Sequence, residues 1–155
     1  MKARKIQEWL ARTPNQTFVV CPLAVLAFEL LRAGELVILP WGCLVLGWGY
    51  LQYLLVGRYR LPRAGGSQGM QTMPERIITT GPYAYTRNPM YLGHLIFLLG
   101  LGVTFWSWFA MLLFAARAIW FRRRILHDEQ RLEARFDGPY IDYRRQVKRW
   151  IPGVL

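Results

Sequence analysis

The sequence predicts an all-α protein set in a membrane, with about four transmembrane helices and cytoplasmic C-terminal helices. Three observations predict it. The chain is 54% hydrophobic, yet its formal net charge is +11. The apolar residues come in blocks and the charges fall between the blocks. The basic residues collect in three segments separated by pairs of apolar blocks.

The first block, residues 17–31, is apolar apart from Glu29 and follows Lys2, Arg4, Lys5 and Arg12. Pro22 and Glu29 interrupt it and no small-x-small cleavage site follows, so it reads as a span and not as a signal peptide. The second block, 36–57, is the longest. The third and fourth, 90–105 and 106–121, follow each other almost without a gap. A helix needs roughly 20 residues to cross the hydrocarbon. Three of the four blocks are shorter, so they extend into flanking residues or lean on one another. Trp41, Trp48, Trp106, Trp108 and Trp120 fall near block ends, where amphipathic rings prefer the membrane interface. The remainder, 122–155, is a cytoplasmic tail, and residues 1–155 form one domain.

Charge sets the topology. The N-terminal segment holds four Lys and Arg, the loop from Arg58 to Pro89 five, and the tail nine, of twenty in all. The opposite turns hold Arg32, balanced by Glu35, and no charge around Thr104. Arg117, one turn inside the last span, can snorkel back. By the positive-inside rule the N-terminus, the middle loop and the tail are cytoplasmic. A basic protein can also bind nucleic acid, but these apolar blocks leave little soluble surface for a duplex. Cys21 and Cys43 lie in apolar segments with no CxxC and no Cys/His cluster, so they read as core residues and no metal site is expected.

The run TTGPYAYTRNPMYLGH, Thr79 to His94, carries dense hydrogen-bonding chemistry. Asn88 followed by Pro89 is a helix-start signal. The first turn of that helix offers free N–H groups and a partial positive charge, beside Arg87. Arg87, Tyr91 and His94 share one face if the helical phase extends backward. Taken singly, Arg87 reads as a membrane anchor, Asn88-Pro89 as a cap, the tyrosines as interface aromatics and His94 as a core histidine. Anchoring alone requires neither the Gly81-Pro82 turn nor a shared face. A polar stripe entering a membrane faces a pocket or another helix.

In the tail, Ile125, Glu129, Leu132 and Phe136 fall on one helical stripe. Glu129 is the carboxylate on an apolar face and requires a cation or a hydroxyl donor. Asp128, Arg131, Glu133 and Arg135 point elsewhere. Gly138-Pro139 breaks the helix, and a second short helix places Tyr140, Tyr143, Val147 and Ile151 together. A basic amphipathic tail on anionic lipid accounts for Arg122 to Arg124, Lys148 and Arg149. It does not account for Glu129.

GPYAYTRNPMYLG followed by DEQRLEARFDGPYIDYRRQV resembles the isoprenylcysteine carboxyl methyltransferase and phospholipid methyltransferase group of membrane enzymes, over roughly the second half of the chain. The resemblance implies S-adenosylmethionine as methyl donor and a lipid or lipid-linked carboxyl, amine or thiol as acceptor, at the cytoplasmic membrane interface. It implies cofactor contacts at Tyr83, Arg87, Asn88, Pro89, Met90 and Tyr91, at Ile77 and Ile78 before them, and at Gln68 in the loop. Asp128 and Glu129 occupy its paired acidic positions. Arg124 lies where the family places a substrate contact, which makes Arg124 and Glu129 the candidate catalytic residues. Asn88 stands where the family has His, and Asp137 intrudes before Gly138. Two other readings compete: a nicotinamide-dependent membrane reductase, distinguished by cofactor choice, and a non-enzymatic scaffold whose basic tail binds anionic lipid, for which Glu129→Gln is silent. The methyl acceptor and the oligomeric state stay open.

Overall fold

The computed structural model describes residues 2–65 and 74–150. Among them every regular element is helical. In chain order these are α1 (Lys2–Leu10), α2 (Thr13–Asn15), a π turn (Gln16–Val20), α3 (Cys21–Ala33), α4 (Pro40–Ala64), a 3-10 turn (Gly81–Ala84), α5 (Pro89–Thr104), α6 (Trp108–Phe136) and α7 (Gly138–Gln146).

The all-helical expectation holds, and the element bounds move. The first block lies within one helical run, Thr13–Ala33, broken in phase by the π turn. Residues 36–39 are outside α4, whose helix starts at Pro40 and continues past the expected end. The fourth block and the tail helix are one element, the 29-residue α6, because no Gly or Pro interrupts Trp108–Phe136. Residues 77–79 form no regular element. Among the described residues, Thr13–Ala33 is long and apolar enough to cross a membrane by length and composition, and α5 is apolar but shorter.

The chain divides into two compact units, Met1–Leu51 with Gly93–Ala118, and Gln52–Leu92 with Ile119–Leu155. In the first unit Cys21, Val25, Phe97, Leu98, Leu101 and Ala110 make the core. Glycines allow close approach there: a Cβ on Gly49 would fall on the Phe97 backbone, and one on Gly100 on the Leu46 backbone. Glu29, buried, accepts from Ser107 Oγ at 2.6 Å and from Arg32 Nη2 at 2.8 Å. Arg32 therefore balances Glu29 and not Glu35. Ser107 Oγ also accepts from the Ala110 N–H and so caps α6. Gly34, in a left-handed conformation, closes α3. Arg117 donates to Gln16 Oε1 at 2.8 Å, a contact within this unit that replaces the expected snorkelling. His94 is fully buried and stacks on Phe18. Both cysteines are free thiols.

The second unit is organised by α7. Tyr140, Tyr143 and Val147 form its buried core, with Ile77, Leu132 and Phe136 against them. The Tyr143 hydroxyl donates to the Tyr83 carbonyl at 2.7 Å. Asp137, between α6 and α7, has φ 46° and ψ −125°. That is a glycine conformation held by a residue with a Cβ.

Candidate functional site

The second unit contains a pocket, and the segment Arg87–Tyr91 forms one wall of it. The 3-10 turn Gly81–Ala84, which opens on Gly81-Pro82, delivers Tyr83 to the pocket lining. Pro89 opens α5 as expected, and the Leu92 N–H takes the Asn88 carbonyl as the first helical bond. The facing wall comes from α6, which carries Asp128, Glu129 and Leu132, and from α7, which carries Tyr140 and Tyr143. Arg60, Pro74, Arg76, Ile77 and Ile78 complete the lining. Ten of the residues expected at a cofactor site line this one pocket: Ile77, Ile78, Tyr83, Arg87, Asn88, Pro89, Met90, Tyr91, Asp128 and Glu129. Gln68 lies outside the described residues. His94 does not line the pocket and belongs to the other unit. The shared face with Arg87 fails because Arg87 precedes the helix.

The two acids differ in bonding. Glu129 is gripped by two guanidinium groups. Its Oε1 accepts from Arg87 Nε at 3.1 Å, Arg87 Nη2 at 2.9 Å and Arg149 Nε at 3.2 Å, and its Oε2 from Arg149 Nη2 at 2.7 Å. The Glu129 and Arg87 side chains are only 7% and 9% exposed, whereas Arg149 is 30% exposed. The cation that a buried Glu129 required is therefore a pair of arginines. Arg149, read from the sequence as a lipid-facing tail charge, is half of that pair. The bond to Glu129 holds its guanidinium above the usual arginine range, partly offset by burial. Arg87 Nη1 also donates to the carbonyls of Arg144 and Val147, both at 2.8 Å.

Asp128 is more open. Its Oδ2 accepts from the Tyr91 hydroxyl at 3.1 Å, and Arg124 Nε donates to that same hydroxyl at 3.0 Å. Arg124 lies 3.8 Å from Asp128 Oδ2. Asp128 Oδ1 has no hydrogen-bond partner among the described residues. Arg124 is not in the pocket lining and reaches it through Tyr91. Burial pushes the Tyr83 hydroxyl up to about 12, against Arg60. Burial, with Glu129 adding, pushes Tyr140 up to about 12 against Arg87, Arg144 and Arg149. Burial raises Tyr143 as well. These phenols are neutral donors and aromatic faces at neutral pH.

Sequence reasoning missed Arg60, Arg76, Leu132, Tyr140 and Tyr143 as pocket residues, although it placed both tyrosines on one face of the tail. Arg60, near the end of α4, and Arg76, beyond it, sit among other cations with no local signal to separate them. Glu133 on α6 accepts from Arg144 on α7 at 2.6 Å.

Fold and site together define a helical protein with a pocket lined by charged residues, tyrosines and apolar side chains. Residues 39–136 match the sequence model of the phospholipid methyltransferase family, and the chain belongs to that family. Over 78 residues it is 36% identical to the protein-S-isoprenylcysteine O-methyltransferase of Schizosaccharomyces pombe, covering 49% of this chain and 33% of that protein. The matched chain thus spans about a third of the length of this curated relative. The family match ends at Phe136, so α7 and Arg149 lie beyond it.

Proposed function

We propose that the protein transfers a methyl group from S-adenosylmethionine to a lipid or lipid-linked carboxyl, amine or thiol at the cytoplasmic face of a membrane. One observation carries the reading. The two segments that resemble the family's motifs, centred on Arg87 and Glu129, meet in a single pocket although they are 42 positions apart.

The residues present fit the donor. S-adenosylmethionine carries a carboxylate, an ammonium, ribose hydroxyls, an adenine and a sulfonium. Asp128, with a carboxylate oxygen in reserve, suits the ammonium or the ribose. Arg60 and Arg76 suit the carboxylate. Tyr83, Tyr140 and Tyr143 offer rings for the adenine or the cation, and Ile77 and Leu132 offer apolar contact. When bound, the cofactor supplies an electrophilic methyl group on sulfur. The protein's part is to hold donor and acceptor in line, because orientation supplies much of the rate in such displacements. Arg124, oriented on Tyr91, suits the acceptor contact. Glu129, whose oxygens are already taken by two guanidinium groups, serves as a positioning residue.

Membrane insertion with four spans and cytoplasmic termini fits the charge distribution. It also fits the large apolar side chains exposed along the helices, among them Leu31 at 89% and Trp41 at 78%. The test is to incubate purified protein with methyl-labelled donor and a native lipid extract. Label is expected in the lipid fraction and is lost with Asp128→Asn. Label confined to the donor at every lipid composition argues against the proposal.

A further inference from the structure

Residues 147–149 are threaded along Thr86, Arg87 and Asn88. Three successive tail carbonyls each take donors from those three residues. Val147 O accepts from Arg87 Nη1 at 2.8 Å, and Lys148 O from the Arg87 N–H at 3.0 Å. Arg149 O accepts from Thr86 Oγ1 at 3.0 Å and Asn88 Nδ2 at 3.2 Å. Arg87, Asn88 and the next three residues line the pocket, so the tail fixes the outer side of a pocket wall. These bonds come from the tail's backbone. The side-chain anchor that holds it is Arg149, which closes on both oxygens of Glu129.

We infer that Arg149 is a positioning residue: it latches the segment 147–149 onto Glu129 and thereby orders Arg87 and Asn88 in the pocket wall. The inference rests on the donor-site reading for its ligand and on geometry alone for the latch. The two partners of Glu129 are unequal in a way that suits a latch. Arg87 is buried and held by carbonyls as well, so it stays in place. Arg149 is partly exposed, so its guanidinium has access to water when it leaves Glu129, which keeps Arg87 as its counterion. Ordering by the tail and ordering by a ligand on the same wall are coupled and reciprocal. Ligand should tighten the tail, and loss of the latch should weaken ligand.

The test uses the full chain in detergent micelles. Amide hydrogen exchange is followed in peptides covering residues 83–88 and in peptides of α5 around Leu98. Affinity for S-adenosylhomocysteine is measured by calorimetry on the wild type, Arg149→Ala, Arg149→Lys and the exposed control Arg145→Ala. Arg149→Ala is expected to speed exchange in 83–88 at least ~10-fold and leave the α5 peptides unchanged. It should weaken S-adenosylhomocysteine by roughly 5- to 30-fold, with partial rescue by lysine and no effect of Arg145→Ala. Faster exchange everywhere at once, or unchanged exchange in 83–88, overturns the latch. If the wild type fails to bind S-adenosylhomocysteine, the donor reading falls, and the exchange in 83–88 still decides the latch.

Discussion

Replacing Glu129 by alanine removes the partner of two guanidinium groups, and the consequences differ for each. Arg149, at 30% exposed, can turn into water. Arg87, at 9% exposed, cannot, and it loses the acceptors of Nε and Nη2 while Nη1 keeps the carbonyls of Arg144 and Val147. Breaking a buried pair by removing one member costs ~3–5 kcal/mol, because a charge is left without its counterion. The two retained carbonyl bonds place this case near the lower end, at about 3 kcal/mol. Arg87→Met should cost a similar amount, since it orphans those carbonyls. The double variant carries no stranded charge, so it should be less destabilised than the sum by about 2 kcal/mol. Equilibrium unfolding in mixed micelles of the wild type, both single variants and the double variant measures this coupling. Additivity within about 0.5 kcal/mol would refute the reasoning, because it would mean that the two side chains do not meet.

Asp137→Gly should stabilise the protein by about 1 kcal/mol, since relief of the strained φ and ψ exceeds the extra chain entropy of glycine. Gly138→Ala, whose added Cβ meets nothing within 4 Å, should have little effect by comparison; thermal unfolding followed by tryptophan fluorescence reads both. Gly49→Ala should cost about 2 kcal/mol or more because the new methyl meets Phe97 backbone that cannot yield, whereas Gly47→Ala, facing open space, should be neutral or slightly stabilising in the same assay. Tyr83 and Tyr140 keep their protons up to about 12, whereas an unfolded tyrosine loses its proton near ~10. Their contribution to stability is therefore complete below pH ~10 and lost as the pH rises toward 12. Phenolate absorbance rising together with unfolding would bear this out, and phenolate formation near pH 10 in folded protein would count against it.

Much of the site was legible before any coordinates because its chemistry is local. Asn88-Pro89 announces a helix start by itself. The 3.6-residue stripe containing Glu129 announces a buried acid by itself. What the stripe could not announce was the acid's partner. Two arginines answer it, from 42 positions upstream and 20 downstream, and only the fold brings them there. The same limit hid Tyr140 and Tyr143, whose shared face was visible but not what it faced. Helix bounds were least legible where apolar and charged residues run on without Gly or Pro, as at Phe121-Arg122, where hydropathy changes and backbone conformation does not. Asp137 was visible as a departure after Phe136. Its backbone conformation explains the departure: the position suited to glycine is 137, and Gly138 is where none is needed.

On the proposed function, the pocket between the Arg87 segment and the α6 acids receives the methyl donor, with Asp128 as the acid that faces it. Calorimetric titration of the micelle-embedded protein with S-adenosylhomocysteine tests it most directly. One site per chain in the wild type, weakened at least ~10-fold by Asp128→Asn, is the predicted result. No binding heat in the wild type, or equal affinity in the variant, would contradict it.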